Sequence, residues 1–180
     1  MSETFKHRPN YTFEDYLLWE GRWELLDGMP FAMSPAPSPK HQIIQSNLLH
    51  IFYTQLKRCQ HCRALAAPLD WKVNDNTVLQ PDILIVCQPI QKKYLDFPPS
   101  LVVEIISPSS AEKDRHYKYE IYEENKVQHY MIVDPDFEKL ELYSLTEGKY
   151  QLQKTVGDTT YDIKFGDFCK AYIDFAKTWQ

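Results

Sequence analysis

Two stretches decide the fold: Gln80-Pro81-Asp82-Ile83-Leu84-Ile85-Val86 and Leu101-Val102-Val103-Glu104-Ile105-Ile106. Each is a short aliphatic run bounded by Pro, Cys or Ser, the pattern of a strand buried on both faces. Each also carries one carboxylate, Asp82 at the head of the first and Glu104 inside the second. Burying an unpaired carboxylate is strongly unfavourable, so an acid in such a run needs a cation beside it. One cation is a buried Arg or Lys. The other, favoured by an acid recurring at the same kind of place on two consecutive strands, is a divalent ion with hard oxygen ligands.

Ala64 to Val73 and Val78 to Cys87 read as strands that join Leu101 to Ile106 in a central sheet. Ser107-Pro108-Ser109-Ser110-Ala111-Glu112 ends the third strand and opens a helix to about Asn125, with Ser109 and Glu112 spaced as a capping box. On an α-helical wheel Ala111, Asp114, Lys118, Ile121, Tyr122 and Asn125 share the stripe that faces the sheet. Lys118 is then either a snorkelling lysine paired with Asp114 or an ammonium beside the two carboxylates, placed to stabilise charge on a phosphate. Earlier in the chain, Thr12 and Asp15 cap a short helix that stops at Gly21, and Trp23 to Met33 reads as a hairpin turning at Asp27-Gly28. The Pro-rich loop Ser34 to Pro39 precedes a long helix, Lys40 to Arg58, with aliphatic groups at i, i+4 and i+8. Later come a strand from Gln128 to Val133, ended by Asp134-Pro135, and a hairpin from Lys139 to Lys154 turning at Glu147-Gly148. Phe165 to Gln180 reads as a short strand or helix covering an edge. The expected architecture is α/β (α+β). One domain over 1–180 holds a mixed β-sheet flanked by the Lys40 to Arg58 and Ser110 to Asn125 helices, with β-hairpins toward both ends.

The 180 residues, 43% hydrophobic, 14% aromatic and 25% charged, suffice for one core and argue against disorder. The longest apolar run, Ile83 to Cys87, is far short of the roughly 18 residues of a membrane helix, and the N-terminal residues lack a signal-peptide core. A cytoplasmic protein is expected. A net charge of -5 supplies no overall attraction for a polyanion, so contact with nucleic acid needs a local basic patch. The five glycines form no phosphate-binding loop, and no Ser or Cys stands in a nucleophile elbow. Cys59-Gln60-His61-Cys62 has the spacing of half a zinc knuckle, yet no second Cys/His pair follows at the usual distance. Cys59, Cys62, Cys87 and Cys169 are therefore expected as reduced thiols without a metal or redox role. His41, opening the long helix beside the Pro-rich loop, either contacts a substrate phosphate or serves only the helix end and solvent.

The segments Arg22-Trp23-Glu24-Leu25-Leu26-Asp27-Gly28, Ser38-Pro39-Lys40-His41, Gln80 to Val86, Leu101 to Ser109 and Tyr130-Met131-Ile132-Val133-Asp134-Pro135 together resemble the Uma2 family, within the restriction-endonuclease-like PD-(D/E)XK nuclease superfamily. The resemblance runs from about Tyr11 to Tyr143. It implies a restriction-endonuclease-like fold and a divalent-metal-dependent endonuclease. Asp82 matches the first acid of the motif and Glu104 the second, both as ligands of Mg2+ or Mn2+, with Glu24 as an additional carboxylate ligand. For Glu24 the alternative is an exposed hairpin acid paired with Arg22. The usual lysine would stand two residues after Glu104, where this chain has Ile106. Lys118, from the next helix, is the residue that could replace it. The implied partner is nucleic acid, DNA ahead of RNA, with a homodimer compatible and no membrane involved. The alternatives are a non-catalytic nucleic-acid-binding or protein-interaction module on the same fold, and a purely structural ion-pair network.

Overall fold

The computed structural model describes residues 8–33, 36–59, 61–108, 110–156, 160–167 and 169–180. α1 (Phe13–Tyr16) opens on Thr12, whose side chain accepts from the Asp15 N–H while the Asp15 carboxylate accepts from the Thr12 N–H at 2.8 Å. This is the expected capping box. β1 (Trp23–Leu26) and β2 (Met29–Ala32) form the expected hairpin, turning at Asp27 and Gly28 with φ of 48° and 76°. A positive φ at both turn residues matches the right-handed twist of the two strands. A Cβ at Gly28 would stand 2.5 Å from Asn10 Oδ1 and 2.8 Å from the Asn10 Cα. Gly28→Ala is therefore expected to lose about 1–3 kcal/mol, from backbone strain and the clash together, read as a lowered urea midpoint. An unchanged midpoint would mean that the 8–12 segment does not pack on this turn.

α2 (Pro39–Leu56) occupies nearly the expected span, with Ser38 as N-cap and Pro39 at the first position, where its missing N–H is harmless. The strands that follow depart from expectation. Ala64 to Val73 is not one strand but two, β3 (Arg63–Ala66) and β4 (Trp71–Asn74), and Val78 to Cys87 divides into β5 (Thr77–Leu79) and β6 (Ile83–Val86). The breaks fall at Pro68 and Pro81, neither of which can donate to a ladder. At each break the chain passes between two sheets: β4 and β5 belong to a sheet ordered β2-β1-β5-β4, while β3 and β6 belong to the larger one.

The larger sheet also takes β7 (Leu101–Ile105), β8 (His129–Asp134), β9 (Lys139–Thr146) and β10 (Lys149–Val156), in the order β10-β9-β8-β7-β6-β3. β7 and β8 run parallel, joined by a helical crossover, and the other neighbours are antiparallel. β9 and β10 form the expected later hairpin. β11 (Thr160–Phe165) and β12 (Cys169–Asp174) make a separate two-stranded sheet against α2, so the closing segment is a strand followed by a 3₁₀ turn, Phe175–Thr178. One face of the large sheet packs Ile83, Ile85, Leu101 and Val103 against Ile44, Leu48, Phe52 and Leu56 of α2. The other packs Leu84 and Val102 with Trp71, Tyr122 and Tyr130. Strand alternation places Glu104 on this second face, beside Val102.

The crossover after β7 is not the continuous α-helix expected from Ser110 to Asn125. Lys113–Lys118 forms a π-helical turn that passes into α3 (Tyr119–Glu124). The Ser109 end of the expected capping box lies outside the described residues. Nor do the cysteines stand apart as isolated thiols. Cys59 is brought sulfur to sulfur with Cys169, and Cys62 with Cys87, in the pairing of two disulfides at Cα separations of 5.7 and 4.0 Å. Spacing along the chain hides this, because Cys87 and Cys169 arrive from strands far from the Cys59–Cys62 pair.

Candidate active site

The chain crosses from the small sheet to the large one through Gln80-Pro81-Asp82, and the acidic side chains gather at this crossing. β6 and β7 pair Ile83 with Val103, so Asp82, one residue outside the ladder, falls opposite Glu104 at the end of the two strands, near enough for its charge to act on the Glu104 carboxyl. Asp82 Oδ2 accepts from the Ile105 N–H at 2.8 Å and lies 3.1 Å from His41 Nε2. The Asp82 carbonyl accepts from Gln45 Nε2 at 2.8 Å, which ties α2 to the crossing. The Asp82 side chain is 16% exposed, and it borders a cavity of about 290 Å³ lined by Arg22, Gln42, Gln45 and Ser46.

Glu104 is buried. Its Oε1 accepts from the Tyr122 hydroxyl at 2.5 Å and from Lys118 Nζ at 2.9 Å. The Lys118 ammonium, also buried, lies 2.7 Å from Glu24 Oε1 and 3.3 Å from Asp114 Oδ1. Glu24 completes the cluster with no solvent exposure. Its Oε1 accepts from the Gln80 N–H at 3.1 Å and its Oε2 from Lys113 Nζ at 2.6 Å. The wide i→i+5 turn of the π-helix lets Lys113 and Lys118 reach the same carboxylate; on a regular α-helix residues five apart diverge.

The two glutamates around this ammonium do not behave alike. Burial pushes the Glu104 carboxyl up to about 8; Lys118 opposes that shift, and the charges of Asp114, Asp82 and Glu24 reinforce it. Burial acts on Glu24 in the same direction, yet Lys118 and Lys113 outweigh it and hold Glu24 below the usual carboxylate range. For Lys118, burial favours the neutral amine, but Glu104, Glu24 and Asp114 override it and keep the ammonium charged. The cluster therefore holds an ionised Glu24, a charged Lys118 and a Glu104 that retains its proton near neutral pH.

The structure brings Glu24, Glu104 and Lys118 into direct contact and sets Asp82 opposite Glu104. Lys118 meets Asp114 as well as Glu104, with Glu24 as its third carboxylate, and its buried ammonium does not snorkel to solvent. The exposed alternative for Glu24 does not hold: Arg22 turns its Nε to Gln80 Oε1 at 3.2 Å instead. His41 meets Asp82 directly, and its backbone N–H is capped by Ser38 Oγ at 3.2 Å. Its buried Nδ1 has no hydrogen-bond partner among the described residues. Sequence reasoning missed Lys113, which only the π-turn brings inward, and the part of Gln80, whose backbone N–H fixes Glu24. Tyr122 lay on the inward stripe but gave no sign that its hydroxyl meets Glu104.

The site sits on a mixed α+β fold shared with a solved structure. A crystal structure described as a "putative nuclease belonging to DUF820", from Anabaena variabilis, superposes with a TM-score of 0.76 at 17% identity, covering 93% of this chain and 97% of that one. An uncharacterized protein of Synechocystis sp. is 32% identical over 143 residues, 75% of this chain and 74% of the relative. The Uma2 model, described as "Putative restriction endonuclease", matches residues 13–163. The chain belongs to the Uma2 family.

Proposed function

We propose that the chain is a divalent-metal-dependent endonuclease that hydrolyses phosphodiester bonds of nucleic acid, DNA ahead of RNA. The observation that carries this reading is the Asp82–Glu104 pair, opposite each other at the end of two central strands, with Asp82 bordering a cavity and Glu104 held by a buried ammonium. Asp82 Oδ1 and Glu104 Oε2 each make no hydrogen bond among the described residues, while their companion oxygens are anchored. Two anchored carboxylates with an oxygen to spare suit Mg2+ or Mn2+, and Asp82 and Glu104 would hold it. A bound cation supplies a lowered pKa for water and neutralises charge on the phosphate.

The chain's own residues do the rest. Glu24, with both oxygens taken by donors, fixes Lys118 and Lys113 and adds a further carboxylate behind the pair. Lys118 keeps a positive charge beside the reacting centre, where a fixed cation acts on developing negative charge without reorganising. Tyr122 holds Glu104 in place. His41 orients Asp82 from the N-terminal turn of α2, and Arg22, at the cavity rim, can receive the phosphate backbone. No helix among the described residues is long and apolar enough to cross a membrane.

A binding module without turnover is favoured by one feature, the commitment of Lys118 to three carboxylates. Incubation with plasmid, branched and single-stranded DNA and with RNA, with Mn2+ or with chelator, separates the readings. Cleavage that needs Mn2+ and disappears in Glu104→Gln is the expected result. Retained binding with no cleavage on any substrate would favour the module, and neither binding nor cleavage would leave the cluster structural.

A further inference from the structure

At the far end of β6 from Asp82, the four cysteines converge. Cys59 and Cys62 follow the C-terminus of α2, Cys87 follows β6, and Cys169 opens β12. The sulfurs of Cys59, Cys62 and Cys169 all lie within 4.8 Å of one another, and Cys87 meets Cys62. The trio draws on both sulfur pairs, so the two pairs abut rather than stand as separate links. Cys62 and Cys169 are buried, Cys59 and Cys87 partly so.

We propose that these four thiols form a structural zinc site, with Cys59, Cys62 and Cys169 as its closed face and Cys87 as the fourth ligand. Four thiolates at the usual Zn–S distance of about 2.3 Å sit roughly 3.8 Å apart at the corners of a tetrahedron, so sulfurs that all fall within 4.8 Å of one another need only part within each pair to share one ion. The Cys-x-x-Cys turn supplies two ligands from one loop, and the two strands supply the others, so the second ligand pair comes from the fold rather than from a sequence repeat. The Cα separation of 4.0 Å between Cys62 and Cys87 lies below the range in which disulfides usually form, about 4.4–6.8 Å. Binding is balanced without an oxidant: four S–H groups release four protons as Zn2+ is taken up. Two disulfides would instead require removal of four electrons. The site would tie the end of α2 to β6 and to β12, and so brace the same helix whose first turn carries His41.

The protein purified under reducing conditions without chelator tests this by metal analysis. About one zinc per chain is expected, released by a mercurial thiol reagent and lost in Cys62→Ser, while His61→Ala keeps it. Exchange of the wild-type protein with Co2+ should give an intense sulfur-to-cobalt charge-transfer band near the ultraviolet and tetrahedral d–d bands in the visible, a readout that survives if the serine variant fails to fold. Four freely titrating thiols that take up neither zinc nor cobalt would overturn the proposal. So would an intact mass lower by four hydrogens in metal-free, unreduced protein that stays fully folded.

Discussion

Replacing Lys118 by methionine is expected to destabilise the fold by about 3–5 kcal/mol and to reduce cleavage by about a hundredfold or more, two effects that a second substitution separates. The stability loss follows from what remains. Methionine keeps the apolar stem but leaves Glu24, Glu104 and Asp114 buried without the ammonium that lies 2.7, 2.9 and 3.3 Å from them. Glu104 already holds its proton near neutral pH, so the uncompensated charge falls mainly on Glu24, which Lys118 and then Lys113 keep ionised. Without Lys118 the Glu24 pKa rises, so the loss should be largest at alkaline pH and shrink as acid protonates the carboxyl. Adding Glu24→Gln to Lys118→Met removes the charge in question and should recover most of the melting temperature, but not the rate. Urea melts of both variants at pH 6 and pH 8.5, with single-turnover cleavage below the melting range, check both halves. A single variant as stable as wild type would remove Lys118 from the ion-pair cluster, and a rescued double variant that cuts normally would remove it from the reaction.

The parts of this site legible in sequence are those fixed by local patterning. Asp82 and Glu104 announced themselves as carboxylates in runs too apolar to hold them unpaired, and Asp27-Gly28 fixed the hairpin that carries Glu24. Lys118 fell on the inward stripe because α-helical periodicity is a tolerable guide even where the backbone is wider. What that periodicity could not supply was Lys113, since only the π-turn places it beside Lys118, nor the depth of Lys118. A lysine whose stem alone is buried would accept methionine without loss; one whose ammonium meets three carboxylates does not. The division of the 64–73 and 78–87 strands also escaped, although Pro68 and Pro81 marked both breaks, because a strand changing sheets keeps the same residue preferences on either side. The Cys59–Cys62 pair looked incomplete for a related reason: its complement lies in strands brought close only by the packing of α2 against β6 and β12.

Glu104→Gln is expected to leave the fold as stable as wild type in acid and more stable than wild type at alkaline pH, while abolishing Mn2+-dependent cleavage. Burial raises the Glu104 pKa from 4.5 to about 8, so between these values the folded chain holds a proton that the unfolded chain has released. The contribution of this group to stability is fully present below about pH 4.5, declines as pH rises, by up to about 1.4 kcal/mol per unit, and stops changing above about pH 8. Glutamine does not titrate, and its amide oxygen can still accept from Lys118 and Tyr122. The stability difference between variant and wild type should therefore open across that window and level off beyond it. The same proton competes with a cation for the carboxylate. Mn2+ affinity of the wild type should thus strengthen by up to tenfold per pH unit toward pH 8, whereas the variant should bind weakly at every pH. Calorimetric titration with Mn2+ in buffers of different ionisation enthalpy would count the proton released, and uptake without release would place the metal elsewhere. If Glu104→Gln instead melts well below wild type at pH 8 and the wild type takes up no Mn2+, then Glu104 is the ionised half of a structural salt bridge and the nuclease reading falls with it.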